Sequence, residues 1–267
     1  MPFPLRAGVA RFVWERCFAA TSILPYPHGV GKLERSNLMI PRLPKEGLGS
    51  TVGEEGWVQM KVLVIGATGP TGMELVKQAL EHGHEVTAAA RRPEGVTFPA
   101  GTRIVKAEVM DAASMAVAAE GQDAVLSSLG SKIDRKPTTL FSQGTRNIIA
   151  AMERSGVRRL LCITGIGAGD SKGHGGFLYD RIIQPLLLDE IYKDKTRQEE
   201  IIRRSRLDWT IFRPGALNNG PLKGVYREFT DLTGVTIGSI SRADAAQCLL
   251  AHLEDASSYG KTITYCD

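Results

Sequence analysis

Cysteine is scarce in this chain of 267 residues, which has four: Cys17, Cys162, Cys248 and Cys266. Their scatter includes no C-x-x-C pair and no zinc-like His/Cys cluster. Neither a disulfide scaffold nor a metal centre is expected, and reduced thiols in the cytoplasm are the simplest reading. No run approaches the ~18 consecutive apolar residues of a membrane span, so no membrane partner is expected. The basic surplus is small, 33 Lys and Arg against 29 Asp and Glu, too little for the concentrated footprint of a nucleic-acid binder. Internal repeats and low-complexity tracts are absent as well. What is present, at 43% hydrophobic and 23% charged, is the composition of a globular protein able to bury a core.

Residues 1–59 differ from the rest. They carry Pro2, Pro4, Pro25, Pro27, Pro41 and Pro44 and show no sustained helix or strand period. Gly8 to Ala20 has the apolar side of a short helix, and Arg6, Arg11 and Arg16 against Glu15 resemble an organelle transit peptide. A poorly structured extension, or a start at Met60, is the favoured expectation. The expected organisation is therefore an extension over 1–59 and one domain over 60–267.

The strongest local pattern begins at Lys61. Val62 to Ile65 is an uninterrupted apolar run, as in a parallel strand covered on both faces. Gly66, Gly69 and Gly72 follow at G-x-x-G-x-x-G spacing, and Met73 to Leu80 continues as a helix. Strand, tight turn and helix in that order place backbone N–H groups and a helix N-terminus where a pyrophosphate can sit. Gly66, Thr68, Gly69, Pro70, Thr71 and Gly72 are thus expected to line a dinucleotide.

Strands and helices then alternate, the pattern of a doubly wound parallel sheet with helices on both faces. Strands are predicted at Glu85–Ala90, Arg103–Ala107, Ala124–Leu129, Arg159–Thr164, Leu207–Phe212 and Ile263–Tyr265. The predicted helices are Ser114–Glu120, Thr138–Ser155, Asp189–Ser205 and one from the Ser241-x-x-Asp244 capping box through Leu253. The fold class expected is α/β, a single Rossmann-type domain.

The end of the second strand selects the nucleotide. An acid there would bind the ribose 2′-hydroxyl and repel a 2′-phosphate, whereas this chain has Arg91 and Arg92. A guanidinium suits phosphate through charge and forked donors, so NADP(H) is expected. Glu108 and Val109 are placed to meet the adenine, with Asp111 capping the next helix. Leu129 and Gly130 close the fourth strand, at the carboxyl end where ligands lie in open α/β sheets.

Several segments resemble the atypical short-chain dehydrogenase/reductases. They are the glycine turn, Asp123-Ala-Val-Leu-Ser-Ser-Leu-Gly130, Pro137-Thr-Thr with Gly144-Thr-Arg-Asn-Ile-Ile-Ala-Ala-Met152, and Leu207-Asp-Trp-Thr-Ile-Phe-Arg-Pro214. The similarity is greatest to the NAD(P)H-binding, NmrA-like branch close to biliverdin reductase B, also known as flavin reductase. The resemblance spans nearly all of Met60 to Asp267. It implies NADPH, a cofactor contact from Pro214, and hydride delivery to a planar acceptor such as a flavin, quinone or tetrapyrrole. It also implies a lysine facing the nicotinamide ribose, and Lys195 stands at that place.

The family's Tyr-x-x-x-Lys pair is missing, because no tyrosine is followed by lysine four residues on. The branch's substrate-facing serine and histidine are replaced here by Gly165 and Ala216, neither of which offers a side-chain donor. Lys195, Thr164 and Tyr192 are the catalytic candidates that remain. For Lys195 a solvated pair with Glu199 is the alternative, and for Thr164 a bond to its own loop. His174, in a glycine-rich loop, is a candidate lid residue. The function expected is NADPH-dependent reduction of a small, planar conjugated acceptor by a monomer or homodimer. The alternative is an NADP(H)-binding sensor of NmrA-like type that has lost catalysis.

Overall fold

The computed structural model describes residues 58–267; residues 1–57, most of the expected extension, lie outside the described residues. β1 (Lys61–Ile65) leads into α1 (Pro70–Glu81) and β2 (Glu85–Ala90). β3 (Arg103–Lys106), α2 (Ala112–Ala119), β4 (Ala124–Ser127), α3 (Leu140–Ser155) and β5 (Arg159–Ile163) follow. Then come α4 (Asp189–Arg204), β6 (Asp208–Pro214), β7 (Ala216–Asn218), β8 (Arg227–Phe229), β9 (Ser239–Ser241), α5 (Arg242–Ala251) and β10 (Lys261–Cys266).

The main sheet has the order β3-β2-β1-β4-β5-β6-β10-β8. Its neighbours pair in parallel except β8, which runs antiparallel to β10 at the edge. Side chains alternate across a strand, and that alternation builds two cores from one apolar run. Val62 and Val64 pack with Leu75, Val76 and Ala79 of α1 and with Leu249 and Leu250 of α5. Leu63 and Ile65 face the other way, toward Met115, Ile148, Met152 and Ile202 from α2, α3 and α4. Each such side chain contributes roughly 1.5–3 kcal/mol by burial, which makes β1 the spine of both layers. The strand order reverses between β1 and β4, and this switch point opens the crevice in which such sheets take ligands. Among the described residues no helix is long and apolar enough to cross a membrane.

Several boundaries differ from expectation for physical reasons. Helix α1 starts at Pro70 rather than Met73, since proline with no N–H is well suited to the first helical turn. Strand β4 stops at Ser127, two residues short, although Ser128 still donates its N–H to the Ile65 carbonyl at 2.9 Å. Between β5 and α4, where no element is predicted, lies a π-helical stretch, Tyr179–Leu188, with Pro185 inside it. A proline lacks the donor an α-helix would use there, and a wider turn is one way to accommodate that loss. The three-residue strands β7 and β9, which pair with each other in parallel, are too short to leave a period in the sequence. The caps fall where expected: Asp111 accepts from the Ala113 N–H at 2.9 Å, and Ser241 from the Asp244 N–H at 2.9 Å.

One cap comes from another helix. Thr139 offers α3 no side-chain cap, and the fully buried Asp194 of α4 takes its place. Its Oδ2 accepts from the N–H groups of Phe141 and Ser142 at 2.8 and 3.3 Å, and its Oδ1 from the Ser142 hydroxyl at 2.5 Å. A carboxylate at a helix N-terminus also complements the helix dipole. Asp194→Ala is expected to lose about 1–3 kcal/mol of stability in urea titration, because it orphans buried donors; an unchanged midpoint would show that water replaces the cap.

Candidate active site at the carboxyl ends of the strands

The glycine turn is fixed by close approach. Gly66 has φ 77°, and a Cβ there would stand 2.6 Å from the Ser128 carbonyl oxygen. A Cβ on Gly72 would stand 2.2 Å from the Gly66 carbonyl oxygen, so only glycine lets α1 lie this close to the end of β1. At Gly69 a Cβ would stand 3.2 Å from the same carbonyl oxygen, a tight approach that a side chain would have to relieve. Gly69 is also the N-cap of α1, with no side-chain cap bond and no acid in the first turn. The helix therefore presents its N-terminal N–H groups and positive dipole end with no carboxylate of its own to neutralise them, which fits a pyrophosphate. Thr68 and Pro70 are exposed beside it, whereas Thr71 is buried.

At the ends of β2 and β3 the structure brings together Arg91 and Glu108, 3.9 Å apart and both exposed. A pair so open to solvent is weak, and it leaves the guanidinium accessible. Arg92 is exposed next to it. Val109 and Leu129 turn onto α3, where a Cβ at Gly144 would meet their side chains at 3.1 and 3.4 Å. Gly130 is exposed.

The three catalytic candidates meet at the end of β5. The Lys195 ammonium donates to the Thr164 carbonyl and lies 5.1 Å from the centre of the Phe141 ring. Burial lowers the Lys195 pKa to about 8. The alternative for Lys195, a solvated pair with Glu199, is not found among the ion pairs of the described residues. Glu199 instead accepts from Arg213 Nε at 2.9 Å and Nη2 at 2.5 Å, with Arg203 Nη2 at 3.3 Å. The Thr164 hydroxyl donates to Glu199 Oε1 at 2.7 Å. That hydroxyl, expected to serve nicotinamide or substrate, is thus committed to the interior, and Thr164 reaches the site through its carbonyl. Pro214 is buried at the end of β6, its carbonyl accepting from the Ile166 N–H at 3.2 Å.

Tyr192 fills a space that the sequence leaves vacant. A Cβ built on Gly165 would lie 3.0 Å from the Tyr192 hydroxyl oxygen, so the phenol reaches the place of a side chain at residue 165. Burial raises its pKa, which keeps it protonated as a donor near neutral pH. Tyr179 packs edge-on at 6.4 Å and donates its hydroxyl to the Ile166 carbonyl at 3.0 Å. His174 lies away from a lid role: Nδ1 donates to the Val235 carbonyl at 2.9 Å, and its own carbonyl accepts from the Ile237 N–H at 2.8 Å. Phe177, in the same segment, is 80% exposed.

The Glu199–Arg213 pair is the principal feature that sequence reading missed. Arg213 stands in an otherwise apolar strand end, and a charge in such a run was the available signal. Asp170 joins it, 2.6 Å from Arg213 Nη2, and Thr196 accepts from the Gly169 N–H at 3.0 Å. These bonds hold the loop after β5 against α4.

Fold and turn together define a dinucleotide-binding α/β protein of the Rossmann kind. Residues 66–256 match the NAD(P)H-binding family, and the chain belongs to it. YhfK of Bacillus subtilis (strain 168), named an uncharacterized sugar epimerase, is 29% identical over 206 residues, 74% of this chain and 90% of YhfK. The chloroplastic protein At2g34460 of Arabidopsis thaliana is 30% identical over 210 residues, 74% of each chain. Among solved structures, ChuY, an anaerobilin reductase from Escherichia coli O157:H7, has a TM-score of 0.67 at 22% identity, covering 77% of this chain and 96% of ChuY. A short-chain dehydrogenase/reductase from Veillonella parvula DSM 2008, in complex with NADP, has a TM-score of 0.66 at 16% identity, covering 78% of this chain and 94% of that one. At these identities the structural likeness establishes the fold.

Proposed function

We propose that the protein is an NADPH-dependent reductase passing hydride to a small, planar conjugated acceptor such as a quinone or flavin. The observation that carries this reading is the meeting of Lys195 and Tyr192 at the carboxyl end of β5, in the sheet whose β1 ends in the glycine turn. When bound, the nicotinamide supplies the hydride chemistry. The chain's part is to orient it, exclude water and stabilise charge. Lys195, held by the Thr164 carbonyl, is suited to the ribose hydroxyls and to negative charge developing on a reduced acceptor. Tyr192, kept neutral by burial, is suited to donate a hydrogen bond to an acceptor oxygen or nitrogen. Phe177, Ile182 and Leu186, exposed apolar residues between β5 and α4, are the side chains proposed to contact a flat conjugated ring.

Arg91 and Arg92 are read as the 2′-phosphate contacts. Replacing both with alanine should cut the preference for NADPH over NADH by roughly 10–100-fold, since a charge-assisted hydrogen bond is worth about 1.5–3 kcal/mol. An unchanged ratio of kcat/KM values would remove this assignment.

The function is tested by NADPH oxidation against quinones, flavins, tetrapyrroles and simple carbonyls. Turnover with the planar compounds and little with simple ketones is expected. The name of the relative YhfK favours a second reading, epimerisation of a sugar through transient oxidation. That reading predicts turnover with no net consumption of cofactor, so the same assay separates the two.

A further inference from the structure

We propose that Glu228, Cys248 and His252 form a binding site for a zinc-like transition-metal ion, clasping the edge strand β8 to helix α5. Their donor atoms all lie within 4.8 Å of one another. Cys248 and His252 are four residues apart at the end of α5, so they share one helix face. Glu228 reaches them from β8: Oε1 is 3.5 Å from Cys248 Sγ and Oε2 is 3.3 Å from His252 Nε2. In a tetrahedral zinc site, bond lengths of about 2.3 Å to sulfur and about 2.0 Å to nitrogen or oxygen set donor separations of about 3.5 Å for S–O and about 3.3 Å for N–O. The two observed spacings, one from each carboxylate oxygen, are close to these values.

The surroundings are arranged as they are around a metal-bound histidine. His252 Nδ1 lies 2.9 Å from the Cys248 carbonyl oxygen. A carbonyl only accepts, so Nδ1 carries a proton and Nε2 is the nitrogen that faces the Glu228 carboxylate. In the metal-free protein a proton bridges Nε2 and the carboxylate, and a bound ion would displace it. Orientation of a metal-bound histidine through its other nitrogen to a backbone carbonyl is the usual outer-shell arrangement. The fully buried Tyr265 hydroxyl has no hydrogen-bond partner among the described residues, and its electrostatic neighbours are Cys248, Tyr226 and Glu228. Thiolate, imidazole and carboxylate together suit zinc rather than calcium or magnesium. No spacing signals this trio, because Glu228 lies 20 residues before Cys248 and only the fold joins them.

The role is structural. Strand β8 pairs with β10 over three residues, and an ion shared with α5 would pin that short edge. The test uses the full chain after removal of metal by chelator, titrated with zinc by calorimetry and with cobalt(II) by absorption. One zinc per chain, a raised Tm, and a near-ultraviolet thiolate-to-cobalt band with tetrahedral visible bands are expected. Cys248→Ser should abolish the thiolate band, and Glu228→Gln or His252→Gln should weaken binding roughly tenfold or more. Failure to bind one equivalent, an octahedral cobalt spectrum without the thiolate band, or a band that survives Cys248→Ser would overturn the proposal. The wild-type spectrum decides even if a variant does not fold.

Discussion

Glu199→Ala is expected to lose about 3–5 kcal/mol of stability, since it strips a buried cation of its partner. Arg213 is 2% exposed and Glu199 fully buried, with two hydrogen bonds between them. Without the carboxylate, Arg213 keeps only Asp170, whose own side chain is 82% exposed. A domain of this kind is held by roughly 5–15 kcal/mol in total, so the loss takes a large share. It also reaches the site, because Glu199 accepts the Thr164 hydroxyl and the Thr164 carbonyl holds Lys195. Urea unfolding measures the first effect and residual turnover the second. Glu199→Gln, which keeps the shape and some of the bonds, should fall between. A loss below about 1 kcal/mol for Glu199→Ala would mean that water or Asp170 compensates Arg213.

Lys195→Ala is expected to lower kcat roughly 100–1,000-fold with a planar acceptor, the usual loss when a preorganised charge facing the transition state is removed. The pH profile separates this from a structural role. Burial brings the Lys195 pKa down to about 8 from its ordinary 10.5. The ammonium is therefore present below about pH 8 and disappears as pH rises through it. kcat/KM, which reports the free enzyme, should hold on the acid side of that value and decline above it. The variant should show a low, flat profile across the same range. A wild-type profile that stays level to pH 10 would remove the ammonium from the chemistry.

Much of the fold was legible because one property, local apolar periodicity, dictates it. The run Val62 to Ile65 had to be buried on both faces, and Gly66 and Gly72 had to follow because no side chain fits against Ser128 and the turn. Asp111 and Ser241 announced their helices by capping chemistry that acts within a few residues. The site was less legible, since its contacts join distant segments. Thr164 was a reasonable hydroxyl donor in the sequence, but its hydroxyl answers to Glu199, which is 35 residues away. Tyr192 had no visible reason to reach Gly165 until α4 packed beside β5. Asp194 looked like one more charge on a highly charged helix; only the packing of α4 on α3 makes it a cap. The π-helical stretch was hidden by Pro185, which in a sequence argues against a continuing helix.

The most direct test of the central claim is the rate of NADPH oxidation with a quinone or flavin, comparing ordinary cofactor with cofactor deuterated at the transferred position of nicotinamide C4. The account predicts stoichiometric formation of NADP+, slower oxidation of the labelled cofactor, and loss of both in Lys195→Ala. Tight NADPH binding with no oxidation by any planar acceptor would contradict it, and would identify a protein that holds the cofactor without spending it.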